Sequence, residues 1–466
     1  MTEQYLRDSY PRANVIWIMC DQLRAGALGY RGDPNVRTPN IDNLARNGMR
    51  FDNAVAGAPW CCPFRGSLLS GLYPNVCGVT KTPSALDPSI PTIARPLKAA
   101  GYHTAWIGKW HLDGSNSRDH CVPPGRRGGF DYWMGYENNN NQNEVYVHGT
   151  GQERPRRLPG YETDALTDLL LEHIAGHVAR TSDAQGGYQP FFAALSMQPP
   201  HNPYVPPTDA QARYYKNPAH VELAPNVPRG GKTESQARFD LAGYYGMIES
   251  IDGNVGRIRE ALKDMGVDRE TYIMFFSDHG DCLGAHGQWH KSSPWEESIR
   301  IPFIISTVGG SPNMKTGSRP YVLNHVDIAP TTLGLCGVDV PQGMQGYDYS
   351  RFCMNKNRPE YAQTESEFPE PPASAYLQQI PHKLQSHTVN RPWRGLVTQD
   401  GWKYVCLPGH DWLLFDNNED PFEIANLCYN VNHQQEKERL HALLEGWIRR
   451  TGDEFPLPDI SLPEKR

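Results

Sequence analysis

The feature that most constrains this chain is a series of short apolar runs, each ending in polar residues and followed by a helical pattern. Residues 14–20 form the first run and lead into Asp21, and residues 272–276 form a later run shortly before Asp278. Such runs indicate strands that are buried on both faces of a parallel sheet. Strands that alternate with helices from residue 14 to about residue 337 predict an α/β domain with a mostly parallel central sheet.

The last part of the chain has a different pattern and predicts a separate small subdomain. Short segments there have the character of antiparallel strands, and residues 433–450 have the spacing of an amphipathic helix. The segment before them is rich in Pro, Gln, Glu and His, which is typical of a linker. The predicted organisation is an α/β domain at 1–345, a linker and pocket-edge loop at 346–392, and a C-terminal antiparallel-sheet and helix subdomain at 393–466.

Polar stretches inside and after the α/β domain predict long loops. Residues 123–160 are rich in Gly, Asn and Arg and include the run of asparagines at 138–141, so an insertion loop is predicted there. Residues 207–235 predict a second polar loop. Together with residues 365–391, these loops are where we expect substrate specificity to lie.

Composition excludes several classes of function. The 466 residues carry 45 basic and 52 acidic side chains, and a net charge of -7 gives no field that would attract nucleic acid. A mean hydropathy of -0.61 and the lack of an apolar run near ~18 residues argue against a membrane span. Residues 1–12 have no signal-peptide pattern, so a cytoplasmic location is predicted. The ten cysteines lack paired spacing and indicate reduced thiols, while the oligomeric state stays open, a homo-oligomer included.

The segment at 61–65, Cys-Cys-Pro-Phe-Arg, precedes an apolar helical pattern that stops at Gly71. Proline is tolerated in the first turn of a helix, so Cys61 is expected just ahead of a helix N-terminus, where negative charge is favoured. Arg65, four residues on, returns to the same side of the helix. The residues alone allow two interpretations of Cys61, a nucleophile or anion site and a buried inert thiol.

The block at 61–74 resembles the signature of the type I, formylglycine-dependent sulfatases of the alkaline phosphatase superfamily, near the arylsulfatases and phosphonate monoester hydrolases. The resemblance implies an alkaline-phosphatase-like α/β/α sandwich. It also implies that a maturation enzyme oxidises Cys61 to formylglycine, whose hydrated aldehyde is the nucleophile. Phe64 departs from the serine or alanine that is usual at the fourth position of the motif.

Further blocks occur in the order that the resemblance implies. Lys109 and His111 are two residues apart at a predicted strand end, so their side chains are expected to point the same way, and His201 lies in a proline-rich turn. From the residues alone, each of the three could also be a solvated surface side chain. In the sulfatases, these three side chains and Lys291 surround the bound anion as a cage of cations. The resemblance therefore implies a catalytic set of Cys61, Arg65, Lys109, His111, His201 and Lys291.

Polar residues at two strand ends predict a metal site. Asp21, Gln22, Asp278 and His279 offer three oxygen donors and one imidazole, a donor set that suits a hard divalent cation. We expect one ion, with Ca²⁺ first and Mn²⁺ or Mg²⁺ next. The resemblance adds residue 61, as formylglycine, to the ligands. Gln22 replaces the aspartate that is usual in the sulfatases.

The predicted reaction is hydrolysis of a small sulfate monoester, with a carbohydrate as the expected substrate. In the mechanism that the resemblance implies, Arg65 and Lys109 favour the attacking alkoxide, His201 or Lys291 protonates the leaving oxygen, and His111 accepts a proton from the second hydroxyl of residue 61. Two alternatives remain open. One is a phosphonate monoester or phosphodiester hydrolase with the same nucleophile, and the other is a non-catalytic binding protein with unmodified Cys61.

Overall fold

The computed structural model describes residues 13–182, 188–268, 271–310, 314–354, 370–379 and 391–460. Within these ranges the chain forms a large mixed sheet with helices on both faces and a smaller antiparallel sheet near the C-terminus. The strands of the large sheet are β1 (Asn14–Asp21), β2 (Met49–Phe51), β3 (His103–Lys109), β4 (Tyr132–Tyr136), β5 (Val145–Gly149), β6 (Gln152–Leu158), β7 (Phe191–Pro200), β8 (Thr271–Ser277), β9 (Phe303–Thr307) and β10 (Gly317–Arg319).

The large sheet has the strand order β10-β2-β9-β8-β1-β7-β3-β4-β5-β6. Its central strands β8, β1, β7, β3 and β4 run parallel to one another, whereas β9, β5 and β6 pair antiparallel with their neighbours. β1 lies between β7 and β8 and is buried along its whole length. The predicted α/β fold with a mostly parallel central sheet is confirmed.

Helices cover both faces of the sheet, and successive side chains of β1 point alternately into the two hydrophobic cores that these helices form with it. Val15, Trp17 and Met19 face one core with α2, α4 and α9, while Ile16 and Ile18 face the other with α1, α5 and α7. The described helices are α1 (Pro39–Asn47), α2 (Cys61–Ser70), α3 (Pro74–Cys77), α4 (Ala94–Ala99), α5 (Glu162–Ser182), α6 (Thr208–Tyr214), α7 (Gly231–Asp264), α8 (Glu296–Ile299), α9 (Ile328–Leu335), α10 (Ser350–Cys353) and α11 (Gln434–Thr451).

The second sheet is antiparallel and lies between the terminal helix and the α/β domain. Its strands, in order, are β11 (Ser374–Gln379), β12 (Trp393–Thr398), β13 (Trp402–Leu407) and β14 (His410–Asp416). Leu440 and Leu444 of α11 pack on one face, and Val397 and Val405 on the other face pack against the α/β domain. The predicted C-terminal sheet and helix are confirmed.

Several predicted loops differ from the structure. The insertion loop predicted at 123–160 is wrong, because β4, β5 and β6 extend the large sheet there. The polar loop predicted at 207–235 contains α6 and the beginning of α7. Within the predicted linker at 346–392 the structure has α10 and β11, the first strand of the C-terminal sheet. Residues 355–369 and 380–390, which hold most of the third predicted specificity loop, lie outside the described residues.

Among the described residues, no helix is both long enough and apolar enough to cross a bilayer.

Candidate active site

The polar residues predicted at strand ends meet at one edge of the large sheet. Asp21 and Lys109 are the last residues of β1 and β3, and Asp278 directly follows β8. His201 directly follows β7, whose last residue, Pro200, is in register with Asp21. Because β8, β1, β7 and β3 are consecutive parallel strands, their carboxyl ends form the crevice where α/β sheets bind ligands.

Cys61 is brought to this edge by α2. It is the first residue of the helix rather than the residue ahead of it, since Trp60 is the N-cap with extended backbone. Pro63 lies in the first turn, where its missing N–H group costs no hydrogen bond. Gly71 ends the helix with φ of 69°, and its N–H donates to the carbonyl of Ser67 at 2.8 Å. The helix start therefore presents the Cys61 side chain to the strand ends.

Phe64, which replaces the serine or alanine that is usual in the motif, lies in the hydrophobic core and not in the crevice. The Phe64 side chain is fully buried and its ring stacks on His325, with ring centroids 5.2 Å apart. Arg65, the next residue, is also fully buried and reaches the carboxylates of Asp21 and Asp278. Phe64 therefore packs in the hydrophobic core, whereas the next residue of α2, Arg65, points into the site.

Four side chains converge as a group able to hold a metal ion. Ligand atoms of Asp21, Cys61, Asp278 and His279 all lie within 4.8 Å of one another, and all four residues are buried. Cys61 Sγ is 3.6 Å from Asp21 Oδ1 and 3.2 Å from His279 Nε2. His279 Nδ1 donates to the Gly280 carbonyl at 3.0 Å, which leaves the Nε2 lone pair directed at the group.

The electrostatics of this group favour a bound cation. Burial and the adjacent charge of Asp21 raise the pKa of Asp278 to about 7. Burial would also raise the pKa of Asp21, but the charges of Lys109, Lys291 and Arg65 outweigh it and hold that pKa well below its usual range. Two buried carboxylates and an imidazole lone pair that face one another therefore fit a divalent cation, whose charge would relieve the repulsion.

Arg65 and Lys109 form the fixed cations of the site. Arg65 Nη2 lies 3.2 Å from Asp21 Oδ2 and 3.4 Å from Asp278 Oδ2, and Nη1 donates to the Lys109 carbonyl at 2.9 Å. Lys109 Nζ donates to Asp21 Oδ2 at 2.7 Å. Burial would lower the pKa of Lys109, but Asp21 outweighs it and the pKa is raised. Both cations are therefore charged and positioned beside Cys61.

Gln22, predicted as a metal ligand, has its carboxamide engaged by other side chains. Its Oε1 accepts from Lys291 Nζ at 2.5 Å, and its Nε2 donates to Asp281 Oδ2. The backbone N–H of Gln22 donates to Asp278 Oδ1 at 3.0 Å. The structure therefore joins Gln22 to the metal group through its backbone, and to the predicted cage through its side chain.

His201 and Lys291 form one pair at the rim of the site. Lys291 Nζ lies 2.7 Å from His201 Nε2, and His201 Nδ1 donates to the Asn202 carbonyl at 2.6 Å. Burial and the charge of Lys291 lower the pKa of His201 well below its usual range. The imidazole is therefore neutral and accepts a hydrogen bond from the ammonium group.

His111 lies two residues beyond Lys109 and is held in a left-handed conformation with φ of 58°. Its Nε2 is 3.3 Å from Asn116 Oδ1, and its Nδ1 has no hydrogen-bond partner among the described residues. Burial, followed by the charges of Lys109 and Arg65, lowers the pKa of His111 well below its usual range. A neutral imidazole with a free ring nitrogen is the state that a proton acceptor requires.

Sequence reasoning missed several residues of the crevice. Asp281 accepts hydrogen bonds from Gln22 and Tyr204, and Ser196 Oγ accepts from Arg65 at 2.8 Å. Glu162 is fully buried on α5 and accepts from the N–H of Gln198 at 2.7 Å. A signal existed for two of them: Asp281 is three residues beyond Asp278, and Ser196 interrupts an apolar strand.

Comparisons with known proteins show similarity along most of the chain. A family model described as Sulfatase matches residues 13–338, and one described as N-sulphoglucosamine sulphohydrolase, C-terminal, matches residues 284–450. The chain is 31% identical to an ulvan-active sulfatase of Formosa agariphila, over 98% of this chain and 85% of the relative. It is 28% identical to an endo-4-O-sulfatase of Bacteroides thetaiotaomicron, over 90% of this chain and 89% of the relative.

A solved structure extends the similarity to the whole fold. The crystal structure of YidJ from Bacteroides fragilis superposes with a TM-score of 0.81 at 28% identity, covering 96% of this chain and 97% of that one. Both domains are included in this coverage, so the relationship is not limited to the motif around Cys61. The chain belongs to the sulfatase family and is a sulfuric ester hydrolase.

Proposed function

We propose that this protein hydrolyses the sulfate monoester of a small carbohydrate, using formylglycine made from Cys61 and one divalent cation. The observation that carries the proposal is the position of Cys61 Sγ, 3.2 Å from His279 Nε2 and 3.6 Å from Asp21 Oδ1. Asp21 Oδ2, in turn, accepts from Lys109 and Arg65. A nucleophile at this point is buried between metal ligands and fixed cations.

Asp21, Asp278 and His279 are the residues that would hold the cation, with residue 61 as a further ligand and Gln22 as a neighbour. Ca²⁺ is the first choice for a site dominated by oxygen donors, and Mn²⁺ or Mg²⁺ the next. When bound, the ion supplies positive charge that favours an ionised hydroxyl on residue 61 and offsets the charge of the sulfate group. Formylglycine supplies two hydroxyls on one carbon, which allows sulfuryl transfer and then release of sulfate by elimination.

The ammonium groups of Lys109 and Lys291 hold the sulfate group. Lys109 is anchored on Asp21, and Lys291 lies between Gln22 and His201, so the two ammonium groups keep their positions without substrate. Preorganised cations of this kind stabilise the negative oxygens of a sulfuryl group in the transition state. They also orient the ester so that the leaving oxygen lies opposite the nucleophile.

Lys291 is the residue that donates a proton to the leaving oxygen. His201 Nδ1 carries its proton toward the Asn202 carbonyl, so His201 Nε2 is an acceptor and has no proton to give. The ammonium of Lys291 is the donor in this pair. His111 has a neutral ring, and its Nδ1 has no partner in the described part of the chain, so it accepts a proton at the other end of the reaction.

A carbohydrate substrate is supported by the names of the similar proteins. The family model over residues 284–450 is described as N-sulphoglucosamine sulphohydrolase, C-terminal, and one relative is named an ulvan-active sulfatase. The predicted phosphonate monoester or phosphodiester activity uses the same nucleophile, so it becomes an outcome of the test.

The proposal is tested in two steps on protein made together with a formylglycine-generating enzyme. The mass of the tryptic peptide 51–65 shows whether Cys61 has exchanged a sulfur and two hydrogens for an oxygen. Release of inorganic sulfate from sulfated mono- and disaccharides is then measured by ion chromatography, with a phenyl phosphonate ester in parallel. The proposal is supported if the wild type releases inorganic sulfate repeatedly. Cys61→Ser should then release the alcohol only once, because the sulfuryl group stays on residue 61, and it should release no inorganic sulfate. Phosphonate cleavage without sulfate release, or unmodified Cys61 in a preparation that turns over, would overturn the proposal.

A further inference from the structure

We propose that Asp281 is a positioning residue that fixes the carboxamide of Gln22 and, through it, the direction in which Lys291 points its protons. This inference rests on the proposed function, because it concerns the proton donor of that reaction. Asp281 contacts Lys291 through Gln22, whose carboxamide lies between the two in the chain of hydrogen bonds.

Asp281 accepts hydrogen bonds on both of its oxygens. The residue is fully buried, and its Oδ1 accepts from the backbone N–H groups of Leu283 at 3.1 Å and His290 at 2.7 Å. Its Oδ2 accepts from the Tyr204 hydroxyl at 2.5 Å and from Gln22 Nε2. A carboxylate surrounded by four donors offers no proton of its own, so the atom of Gln22 that faces it must be the amide nitrogen.

The other end of the Gln22 carboxamide faces a group that only donates. Lys291 Nζ is an ammonium with no acceptor capacity, and it lies 2.5 Å from Gln22 Oε1. A reversed carboxamide would place its NH₂ group against the ammonium and its oxygen against the carboxylate of Asp281. Both contacts would be repulsive in a buried site, so a single orientation of Gln22 is allowed.

The fixed carboxamide sets the rest of the chain of hydrogen bonds. Lys291 donates to Gln22 Oε1 and to His201 Nε2, and His201 Nδ1 donates to the Asn202 carbonyl. Asn202 Oδ1 also lies 3.3 Å from Gln22 Nε2, which returns the chain to its start. Two protons of Lys291 are thereby committed, and the third is free for the leaving oxygen.

Asp281→Asn tests this role with little change in shape. The new side chain keeps an oxygen for the N–H groups of Leu283 and His290, but it offers NH₂ to the amide nitrogen of Gln22. The carboxamide of Gln22 then has to turn, and Lys291 loses its acceptor. We expect kcat/KM to fall about 10- to 100-fold for sulfate esters with a poor leaving group, such as an alkyl sulfate. The loss should be much smaller for a nitrophenyl sulfate, whose leaving group needs no proton.

Two further variants separate positioning from a structural role. On a Lys291→Ala background, Asp281→Asn should cause no further loss with the alkyl sulfate, because the group it positions is absent. Asp240→Asn is the matched control, since Asp240 on α7 accepts from Trp289, a neighbour of Lys291 in the loop, but lies outside the chain of hydrogen bonds. It should leave the dependence on the leaving group unchanged.

The decisive experiment exchanges the two partners. In Gln22→Glu/Asp281→Asn the carboxylate and the carboxamide trade places, so the contact between residues 22 and 281 and the contact with Lys291 again pair a donor with an acceptor, and the net charge is preserved. The Tyr204 hydroxyl and the Asn202 carboxamide have to turn to match the exchange. We expect Gln22→Glu and Asp281→Asn each to lower the Tm by about 2 °C or more, and the double variant to restore both the Tm and the alkyl sulfatase activity. A double variant that is as unstable as the sum of the single variants would overturn the proposal. The Tm pattern needs no turnover, so a wild type that cleaves no sulfate ester refutes the proposed function while the exchange still tests the contact.

Discussion

Two clusters of buried charge can be compared in this molecule. One lies at the ends of the central strands and is called the strand-end cluster. The other joins α8 to the C-terminal sheet and is called the interface cluster. The strand-end cluster consists of Asp21, Arg65, Lys109, Asp278 and His279. The interface cluster consists of Glu296, Arg300, Lys403 and Glu423.

In the interface cluster every acceptor faces a donor. Lys403 is fully buried; its Nζ contacts Glu423 Oε1, lies 3.2 Å from Glu296 Oε1 and donates to the Pro294 carbonyl at 2.7 Å. Arg300 Nε lies 2.7 Å from Glu296 Oε2. Burial would raise the pKa of Glu296, but Arg300 and Lys403 outweigh it and lower that pKa to about 2. Burial outweighs Lys403 at Glu423 and raises that pKa to about 8, but Glu423 Oε2 also accepts from the Glu296 N–H, so the cluster is complete without a ligand.

In the strand-end cluster, by contrast, acceptors face one another. Asp278 Oδ1 and Asp21 Oδ1 lie 3.5 and 3.7 Å from His279 Nε2, and Cys61 lies between them. Burial and the charge of Asp21 raise the pKa of Asp278 to about 7, so a raised carboxyl pKa occurs in both clusters. Burial of charge is therefore common to both clusters. What distinguishes a candidate catalytic site is convergence of like groups around a nucleophile.

The largest expected effect is loss of the nucleophile, and the chain offers a matched control in the next residue. Cys61→Ala should lower kcat by about 10⁵-fold or more, measured as sulfate release. Cys62→Ala removes a thiol that faces the apolar core and whose pKa burial raises to about 12, so kcat should stay near the wild-type value. Equal losses in both variants would mean that α2 is merely destabilised.

The second prediction removes the central cation of the interface cluster. Lys403→Met leaves Glu296 and Glu423 buried without a shared partner and should lower the free energy of unfolding by about 3–5 kcal/mol. The kcat of the folded protein should not change, because the cluster joins α8 to the C-terminal sheet and shares no residue with the strand-end cluster. The exposed pair Arg31–Asp52, tested as Arg31→Met, should cost less than about 1 kcal/mol. A kcat that falls with Lys403→Met would remove the distinction between the clusters.

The third prediction concerns proton release when the strand-end cluster binds Ca²⁺. Asp278 must be ionised to bind the cation, and its pKa is raised to about 7 in the cation-free protein. Below pH 7 a proton must leave, so the Ca²⁺ affinity should fall about tenfold for each pH unit, and above pH 7 it should level off. Calorimetric titrations between pH 5.5 and pH 8 measure this slope. Asp278→Asn should bind more weakly with a flatter profile, and a wild-type affinity that does not vary with pH would contradict the prediction.

The comparison also explains which features the sequence could predict. β1 and β8 are apolar runs with polar ends, so both the strands and the positions of Asp21 and Asp278 follow from local pattern. β6 was missed because its middle residues are exposed and its stability comes from pairing with β5 rather than from burial of its own side chains. β11 was missed because it lies within a segment whose composition is that of a linker.

The missed site residues have a similar physical reason. Asp281 meets Gln22 across 259 positions of the chain, and Ser196 meets Arg65 across 131. Contacts of this range depend on the strand order, which composition and periodicity do not determine. Glu162 is the extreme case, since a glutamate at the start of an amphipathic helix is ordinarily a solvated first-turn residue.

The smallest expected effect tests this buried glutamate, a single carboxylate that belongs to neither cluster. Glu162 Oε1 accepts from the Tyr136 hydroxyl at 2.6 Å and from the Gln198 N–H at 2.7 Å, and burial raises its pKa to about 7. A raised carboxyl pKa means that the folded state retains a proton that the unfolded state has lost. This stability is present at low pH and disappears as the pH rises through 7.

Glu162→Gln imitates the protonated form and avoids the buried charge. Calorimetry should therefore give equal Tm values for Glu162→Gln and the wild type at pH 5, and a Tm about 2 °C higher for the variant at pH 8.5. Glu153→Gln is the opposite control, because Glu153 is exposed and Arg127 lowers its pKa; its loss should lower the Tm slightly at pH 8.5. A Glu162→Gln variant that is less stable than the wild type at pH 8.5 would mean that the carboxylate of Glu162 is stabilised by its charge, as in the interface cluster.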